Sequence, residues 1–365
     1  MALKAKEVAK ILGISASTLS LVVNHKPGIS DGTRQKVLRE LKEKGFDYLI
    51  NDEVKTNHVG EYEKNTGRFL ESWNHSKVIA FVIYQVKGEL LGFNSFFPMI
   101  MSGIEKAARQ EGYSISFINI HKEEVKDGVK YIRESGCCGY VIFATEMQEE
   151  DIVPFKEMGL PFVLLDNNFN DDVNIVKVNN EQGTYIAVKH LVEMGHKKIG
   201  YLKSGLPIRS FEERCRMAIQ AMNNAGCITP EKYVFEIGYP SENAYINMKT
   251  LLKKAKDLPT AFMADNDLVT AGAMKACKEL GMKIPEDISF VGFDDRPICT
   301  LTEPEMTTVR LSKEYFGAEA VMLLIRMIRG ETDLSIRTEI NLKLIQRKSV
   351  KNLNDVLEKS SETLL

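Results

Sequence analysis

Long hydrophobic runs are missing from this 365-residue sequence, and no apolar stretch is long enough to span a bilayer. The N-terminal segment MALKAKEVAK lacks the apolar core of an export signal, so we expect a cytoplasmic protein. Cysteine is scarce: the six residues show no metal-ligand spacing, and an ordinary disulfide between the adjacent Cys137 and Cys138 is sterically awkward. We therefore predict reduced thiols, no metal site and no cofactor.

Enzyme signatures are missing as well. The sequence contains no GxxxxGK[ST], GxSxG or HExxH motif, and no GxGxxG follows the first apolar strand segment. The acidic pair in GFDD, residues 292–295, could hold a metal ion, although an acid after a strand more often caps a helix or contacts a ligand. We predict no catalytic residue, and an enzyme remains the disfavoured alternative.

The length suffices for two or three domains, and the 44% hydrophobic and 27% charged residues are typical of soluble globular proteins. The charge is unevenly distributed. Residues 1–50 contain nine Lys or Arg and five Asp or Glu, a net charge of +4, which leaves −6 for the remainder. A basic head on an acidic body suggests that the head meets a polyanion, and an ordinary solvated surface is the alternative.

The head has the pattern of three short helices. Val8, Ile11 and Leu12 have helical spacing before Gly13, which ends the first helix, and Ser15 can cap the second. The apolar stripes of the second and third helices are formed by Leu19, Val22, Val23, Val37, Leu38 and Leu41. Two helices joined by a tight glycine-containing turn are typical of a helix-turn-helix, whose second helix enters the DNA major groove.

The second helix carries the candidates for reading bases. The residues expected to contact bases or phosphates are Ala16, Ser17, Ser20, Leu21, Asn24 and Arg34. The surrounding basic residues can hold phosphates, which gives affinity without sequence information. The alternative is an ordinary three-helix bundle that binds a protein.

From Lys77 onward, short apolar runs alternate with amphipathic segments. The runs VIAFVIY, SISFINI, GYVIFA and PFVLLD are followed by a second series, KIGYLK, YVFEIG, TAFMA and ISFVGF. Such alternation predicts parallel sheets with crossover helices, and two series predict two doubly wound α/β lobes. Ligands of such folds bind at the loops that leave the carboxyl ends of strands, so a cleft between the lobes is the expected site.

The head segment KAKEVAKILGISASTLSLVVNHKPGISDGTRQKVLRELKEKGF closely resembles the DNA-binding domain of the LacI/GalR family of bacterial transcription regulators. The body resembles the same family to about residue 350, in segments such as FFPMIMSGIEKAARQEGY and VNNEQGTYIAVKHLVEMGHKKIGYL. Leu21 departs from the family, which often has Arg at this position, so an operator preference cannot be carried over.

The resemblance implies an α/β fold class: an N-terminal all-α helix-turn-helix domain plus a two-lobed doubly wound α/β body resembling periplasmic sugar-binding proteins. It also implies that the chain crosses between the lobes three times, near residues 180, 294 and 320. The last strand, IRTEINLKLI, is expected to join the second lobe.

The resemblance further implies an effector pocket. The residues that match cleft positions of the family are Phe96, Phe97, Asp166, Arg214, Asn266 and Asp294. An aromatic ring can stack on a sugar or a base, and the four polar residues can satisfy several hydroxyls, which favours a sugar. Alternatives stay open: the phenylalanines could start a helix and fill core, and Arg214 could pair with Glu212 or Glu213 on its helix surface. Arg209 is a weaker pocket candidate.

Between head and body the family pattern is broken, because residues 51–76 lack its Pro-Asn step and contain extra residues. The segment GRFL, residues 67–70, is the candidate hinge helix, which would make Leu70 a minor-groove contact. The predicted domains are the head (1–50), an extended linker (51–76), the two-lobed effector-binding and dimerisation domain (77–350) and a C-terminal tail (351–365).

We expect a homodimeric transcription repressor whose binding to a double-stranded operator is controlled by a small polar effector, with a sugar favoured. Two alternatives stay open beside the disfavoured enzyme. One is a ligand-binding module with a weakened DNA head, and the other is a regulator that responds to a purine or nucleoside. No membrane partner is expected.

Overall fold

A computed structural model of the chain describes residues 5–23, 31–44, 46, 76–86, 96–170, 172–228 and 230–354. The chain divides into two units, Met1–Arg68 and Phe69–Leu365. No helix within these ranges has the length and hydropathy needed to traverse a bilayer.

The described residues of the first unit form the helices α1 (Ala5–Ile11), α2 (Ala16–Val23) and α3 (Asp31–Glu43). Gly13 turns the chain between α1 and α2 with a φ of +64°, a left-handed conformation that glycine adopts without steric cost. The Ser15 hydroxyl accepts a hydrogen bond from the Thr18 backbone N–H at 2.9 Å, so the predicted cap of α2 is confirmed. The apolar stripes meet in a common core of Val8, Ala9, Leu12, Leu19, Val22, Val23, Val37 and Leu41.

The described part of the second unit contains twelve strands and nine further helices. The strands are β1 (Val78–Gln85), β2 (Ser114–His121), β3 (Gly139–Phe143), β4 (Phe162–Leu165), β5 (Asn174–Val178), β6 (Ile199–Lys203), β7 (Val234–Glu236), β8 (Ala261–Ala264), β9 (Ser289–Asp294), β10 (Thr307–Arg310), β11 (Arg337–Ile340) and β12 (Lys343–Ile345). The helices are α4 (Phe96–Gln110), α5 (Val125–Glu134), α6 (Val153–Lys156), α7 (Asn180–Glu193), α8 (Arg209–Asn224), α9 (Ser241–Lys254), α10 (Asp267–Glu279), α11 (Ile298–Leu301) and α12 (Lys313–Ile328).

The strands form two six-stranded sheets, one in each lobe. The spatial order in the first sheet is β11-β5-β4-β3-β1-β2, and all of its pairs are parallel. The order in the second is β12-β10-β9-β8-β6-β7, in which only β12 is antiparallel to its neighbour. The first strand of each lobe, β1 or β6, is an interior strand, and later strands are added on both sides of it. The loops on either side of that strand therefore lead in opposite directions, which creates a topological switch point. The predicted doubly wound α/β fold is confirmed.

Three connections between the lobes are present, but two of the predicted positions are wrong. The first crossing joins β5 to α7 near residue 180, as expected. The chain then remains in the second sheet through β9 and β10, so it does not cross at 294. It returns after Arg310, and α12 packs on β3, β4 and β5 of the first sheet, so residue 320 lies beyond the crossing. The third crossing lies between Ile340 and Lys343.

The segment IRTEINLKLI therefore does not join the second lobe as one strand, and that prediction is wrong. Its first half, β11, pairs with β5, and its second half, β12, pairs with β10. Two hydrogen bonds stabilise the chain between β11 and β12. Asn341 Oδ1 accepts from Asn179 Nδ2 in the first connection between the lobes, and the Leu342 N–H donates to Gln182 Oε1 on α7 of the second lobe. An alternating apolar pattern fits either sheet edge, so only tertiary contacts select the partner strand.

Helices α4 and α12 approach each other closely on the first lobe. A Cβ atom added at Gly103 would overlap the backbone of Glu314, and one added at Gly317 would overlap the Ile100 carbonyl. Glycine on both helices thus permits the contact. Because α12 follows directly on β10 of the second sheet, this packing fixes one of the connections that position the cleft.

Candidate functional site

A cavity lined by both aromatic and charged side chains lies between the two lobes, where the loops of both sheets meet. It is lined by Phe96, Phe97, Phe143, Thr145, Asp166, Ile208, Ser210, Phe211, Arg214, Asp294 and Arg296. These residues come from the start of α4, from the ends of β3, β4 and β9, and from the first turns of α8 together with Ile208 just before it. The side chains leave a volume of about 40 Å³, which is room for a few water molecules at most. A larger ligand needs more space than these side chains leave.

Arg214 lies on the first turns of α8 and is almost fully buried, with 4% of its surface exposed. Its Nε donates to Asn180 Oδ1 at 2.9 Å, and its Nη1 donates to the Asp265 carbonyl oxygen at 2.7 Å. The guanidinium carbon stands 3.8 Å from the centre of the Phe293 ring. These contacts fix the plane of the guanidinium, and within the described ranges Nη2 makes no protein hydrogen bond.

Asp294 ends β9 and shares its carboxylate between two arginines. Oδ2 accepts from Arg296 Nε at 3.1 Å and from Arg296 Nη2 at 2.9 Å, whereas Oδ1 stands 3.5 Å from Arg214 Nη1. All three side chains are buried. The neighbouring Asp294 charge raises the pKa of Arg296 against the opposing effect of burial, so this arginine stays charged.

The fully buried carboxylate of Asp267 stabilises the backbone at Arg296 from outside the cavity. It accepts hydrogen bonds from the Arg296 backbone N–H at 2.7 Å and from Thr308 Oγ1 at 2.6 Å. Burial and the nearby Asp294 charge raise its pKa. Asp267 thus fixes the loop that carries Arg296 and does not itself line the cavity.

Asp166 faces this cluster from the end of β4 in the first lobe. Its Oδ2 accepts from Thr145 Oγ1 at 2.6 Å. Burial raises the pKa of Asp166 to about 6, although the Thr145 hydrogen bond and the Arg214 charge oppose the shift. Its backbone φ is +66°, and Asp294 opposite has a φ of +106°, conformations that non-glycine residues rarely adopt and that concentrate at functional sites.

Aromatic side chains form the first-lobe wall of the cavity. The Phe97 ring packs on Phe81 at 5.9 Å between centres and edge-on to Phe143 at 5.4 Å. The Phe96 ring faces two cations of the second half of the chain, because Arg296 Cζ lies 5.4 Å and Lys313 Nζ 5.5 Å from its centre. The two phenylalanines therefore both start α4 and face the cavity, so the alternatives weighed for them are compatible.

Five of the six residues predicted for the pocket are brought together here, and Asn266 is the exception. Asn266 is buried and caps α10, because its Oδ1 accepts from the backbone N–H groups of Leu268 and Val269 at 3.1 Å each. Its Nδ2 has no partner in the part of the chain that is described. Its role as an effector contact stays a prediction.

Arg214 does not lie on the helix surface beside Glu212 or Glu213, since its partners are Asn180, Asp265 and Asp294. Sequence reasoning missed several lining residues, namely Phe143, Thr145, Ile208, Ser210, Phe211 and Arg296. Three of them carried a usable signal, because Phe143 lies in the predicted strand GYVIFA, Thr145 follows that strand and Arg296 follows the GFDD motif. Ile208, Ser210 and Phe211 lie just before or at the start of α8, where no motif marks them.

On the head, the proposed reading face of α2 is open to solvent. Ala16, Ser17 and Ser20 are exposed and Leu21 is half-buried, whereas the apolar side of the same helix is buried. Arg34 lies within α3, but its side chain is outside the described residues, as are Asn24 and Leu70. No group of His, Cys, Asp and Glu side chains in the described ranges has the arrangement of a metal site.

The sequence is similar to known proteins over most of its length. Residues 188–350 match the family of periplasmic binding protein-like domains. Over 352 residues, the chain is 29% identical to the HTH-type transcriptional repressor PurR of Mannheimia succiniciproducens, covering 95% of this chain and 98% of the relative. The same repressor of Haemophilus influenzae is 28% identical over 355 residues, with 95% and 98% covered. These similarities support the resemblance of the chain to the LacI/GalR family of transcription regulators.

Solved structures of two transcription regulators share the fold of this chain. The transcriptional regulator CelR in complex with cellobiose superposes with a TM-score of 0.67 at 24% identity, covering 95% of this chain and 99% of that one. The lac repressor dimer bound to operator gives a TM-score of 0.68 at 23% identity, with 96% and 100% covered. The fold class and the family resemblance predicted from the sequence are therefore confirmed.

Proposed function

We propose that the chain is a DNA-binding transcription repressor whose head binds an operator and whose cleft binds a small polyhydroxylated effector. The observation that carries the proposal is the fixed arrangement of Arg214, Asp166 and Asp294 around one cavity between the lobes. The relatives named as transcriptional repressors support the DNA-binding function.

The cavity contains a donor and an acceptor without a protein partner among the described residues, and a hydroxyl group can bind to both. Arg214 Nη2 can donate, and Asp166 Oδ1 can accept, since neither takes part in a hydrogen bond among the described residues. A hydroxyl both donates and accepts, so it can bridge a guanidinium and a carboxylate across the cleft. The aromatic wall can stack on the apolar face of a sugar ring. The CelR–cellobiose structure and an Enterococcus faecium family regulator with bound ribose, at 22% identity and a TM-score of 0.64, support a sugar.

A purine or nucleoside is the second candidate, and a separate observation favours it. The sequence relatives at 28–29% identity carry the name PurR, and the cavity has Phe96, Phe97, Phe143 and Phe211 in its lining. A planar base stacks on such rings, and its ring nitrogens could meet Arg214 and Asp166. The two candidates differ in whether the recognised groups are hydroxyls or ring nitrogens.

For the head, we propose that α2 lies in the major groove and that the protein acts as a homodimer. The net charge of +4 in residues 1–50 suits phosphate contacts, and the exposed side of α2 carries Ser17 and Ser20. A dimer would present two such helices to a roughly palindromic operator. Leu301 on α11, an apolar side chain with 76% of its surface exposed, is a candidate for burial between protomers.

We further propose the domain limits given above, with residues 51–76 as the linker between the head and the 77–350 body. Limited proteolysis tests these limits, because an exposed linker is cut before a packed domain. The expected first cut lies within residues 51–76, and a first cut inside the body would contradict the assignment.

Two measurements test the function itself. In a gel-shift assay with DNA from upstream of its own coding region, the full chain should form a specific complex that weakens steeply with salt. Calorimetric titration with D-ribose, D-glucose, sucrose, cellobiose, adenine and inosine should identify the ligand class. Specific DNA binding without any ligand response would contradict the proposed effector control. Ligand binding without specific DNA binding would favour the ligand-binding module with a weakened DNA head.

The base-reading face has its own matched pair of variants. Leu21→Ala should weaken binding to the operator more than to random DNA, because a groove contact carries sequence information. Arg34→Ala should weaken both alike if its role is phosphate binding. Equal losses for Leu21→Ala on the two DNAs would argue against placing α2 in the groove.

A further inference from the structure

Glu213, next to Arg214 on α8, joins the two lobes although it does not line the cavity. Its Oε1 accepts from Asn168 Nδ2 at 2.7 Å, and Asn168 follows β4 in the first lobe. Its Oε2 accepts from Asn180 Nδ2 at 3.0 Å, at the start of α7. Lys177 of the first lobe stands 4.0 Å from the same oxygen. Both carboxylate oxygens are thus engaged, and the side chain is 14% exposed.

The partners of Glu213 are themselves held in place. Asn168 Oδ1 accepts from Arg337 Nη1 at 3.0 Å, so Asn168 is fixed to β11 of the first sheet. On the other side, Asn180 Oδ1 accepts from Arg214 Nε at 2.9 Å. The bonds form a continuous series from the first sheet through Asn168, Glu213 and Asn180 to the cavity arginine. Each carboxylate oxygen faces one amide nitrogen, so a glutamine in this position would turn a second NH₂ donor toward one of them.

We propose that Glu213 is a positioning residue that couples closure of the lobes to the orientation of the Arg214 guanidinium. The bond to Asn168 can form only when α8 approaches the first lobe, so Glu213 stabilises the closed form. The bond to Asn180 fixes the amide that orients Arg214 Nε. Opening the lobes breaks the Asn168–Glu213 hydrogen bond and leaves Glu213 Oε1 without its partner. Closure of the lobes and the bound orientation of the Arg214 guanidinium therefore stabilise each other.

This inference rests on the proposed effector site, but its first test needs no effector. Spin labels on cysteines replacing Tyr131 of the first lobe and Ile246 of the second, which are 58% and 56% exposed, report the distance between the lobes. Five of the six native cysteines are buried, so only Cys227→Ser is needed as background. Labelled full-length chain is mixed with excess unlabelled chain so that each signal comes from within one protomer.

A pair of variants reverses the direction of the bond between the lobes. Asn168→Asp keeps the acceptor for Arg337 but places a second carboxylate against Glu213, so the inter-lobe distance should lengthen and the closed fraction should fall about tenfold. Adding Glu213→Gln should restore the wild-type distance, because the new amide donates to position 168 while its oxygen still accepts from Asn180. Glu212→Ala, an exposed neighbour on the same helix, should leave the distance unchanged.

The second readout separates positioning from closure alone. Asn168→Asp keeps the bonds from Glu213 through Asn180 to Arg214, whereas Glu213→Ala removes both sides. For whichever of D-ribose, cellobiose and inosine the wild type binds, affinity should fall with the closed fraction in Asn168→Asp and by a further several-fold in Glu213→Ala. Melting temperatures of all variants are measured as the control for a purely structural effect.

The outcomes are distinct. An unchanged distance in Asn168→Asp, or no recovery in the double variant, would overturn the coupling role even if ligand binding is intact. Equal affinities for Asn168→Asp and Glu213→Ala would overturn the orientation of Arg214 by Glu213. Failure of every compound to bind the wild type would remove the proposed effector function, and the distance measurements would still decide whether Glu213 holds the lobes closed.

Discussion

The two lobes share one strand order, yet they supply opposite halves of the cavity. The first lobe supplies mainly rings, Phe96, Phe97 and Phe143, with Asp166 as its charged group. The second supplies Arg214, Asp294 and Arg296, which hold one another through charge-assisted hydrogen bonds. Rings are positioned by packing, which tolerates small shifts, whereas the second-lobe groups are fixed by directed bonds in a buried network.

The difference shows which half of the site is pre-organised. Asp265 lies behind the second-lobe cluster, accepting from Tyr201 Oη at 2.8 Å and from the Ser204 backbone N–H at 2.6 Å, and burial raises its pKa. A buried charge destabilises the fold unless its hydrogen-bond and ion-pair partners are present. Loss of one of the three charged side chains therefore destabilises the other two. The Asp166 carboxylate, by contrast, accepts only from Thr145 Oγ1 among the described residues and remains available to a ligand. Changes in the second lobe should therefore have larger effects than changes in the first.

Arg214→Ala should have the largest effect. It removes the cavity donor and leaves Asn180 and the Asp265 carbonyl without their donor, so effector affinity should fall by about 2–4 kcal/mol and unfolding free energy should fall as well. Calorimetric titration and thermal melts of the variant measure the two losses. Retained operator binding in a gel shift would show that the head is intact, while an unchanged effector affinity would remove Arg214 from the site.

Asp166→Asn should lose about 1–3 kcal/mol of effector affinity, because a carboxylate that accepts from hydroxyls is replaced by an amide. The same variant should be more stable than the wild type at neutral pH. Ionised Asp166 is buried with a pKa raised to about 6, a cost of about 2–3 kcal/mol relative to an unfolded aspartate. Asparagine also tolerates the left-handed backbone at this position.

The pH dependence follows from the direction of that shift. Because the folded-state pKa lies above the unfolded value, the stability contributed by protonation is fully present below about pH 4 and is lost as the pH rises through about 6. Effector affinity should change in the opposite sense, falling as Asp166 is protonated. Titrations one unit above and one unit below the pKa should show this loss in the wild type and not in Asp166→Asn. A similar loss in both proteins would assign the titration to another group.

Phe97→Leu tests the aromatic wall of the first lobe. Leucine keeps much of the packing against Phe81 and Phe143, so stability should change little, while a stacked ligand should lose about 0.5–1.5 kcal/mol. Isothermal calorimetry with a sugar and with inosine distinguishes the ligand classes, because a planar base should lose more than a sugar. An effect as large as that of Arg214→Ala would break the contrast between the lobes.

Arg209→Ala should have the smallest effect and serves as the matched arginine control on the same helix. Its Nη2 stands 3.9 Å from Glu149 Oε2, the pair is well exposed, and its guanidinium carbon lies 5.9 Å from the Phe169 ring. Such rim contacts contribute at most about 1 kcal/mol. Effector affinity should therefore fall less than about fivefold in titration. A loss equal to that of Arg214→Ala would show that charge near the cleft, rather than the directed bonds, controls binding.

Much of the fold was predictable because local physical signals were strong. The glycine turn at Gly13 and the Ser15 cap lie in the chain where they act, and helical spacing identified the head core. In the body, alternating apolar runs and amphipathic segments predicted two parallel doubly wound sheets. The crossings were less accessible, because a strand such as IRTEINLKLI has the same pattern whichever sheet edge accepts it.

The site was predictable only in part for the same reason. Phe96, Asp166, Arg214 and Asp294 stand in recognisable motifs at the ends of strands or the starts of helices. Arg296 follows the GFDD motif, but nothing in the sequence indicated that its side chain lines the cavity. Ile208, Ser210 and Phe211 lie before or at the start of α8 outside any motif, so only the approach of the second lobe to the first shows that they share a cavity.

The sequence by itself determined the elements and the two-lobed architecture, and it marked five of the eleven residues that line the cavity. These properties follow from hydrophobic periodicity, capping and motif position, which act over a few residues. Tertiary structure decided which atoms remain available. Arg214 has three partners from different elements, Asp294 is shared by two arginines, and Glu213 meets Asn168 across the cleft. Hydrogen-bond satisfaction and burial depend on groups that are distant in the chain, and no local pattern encodes them.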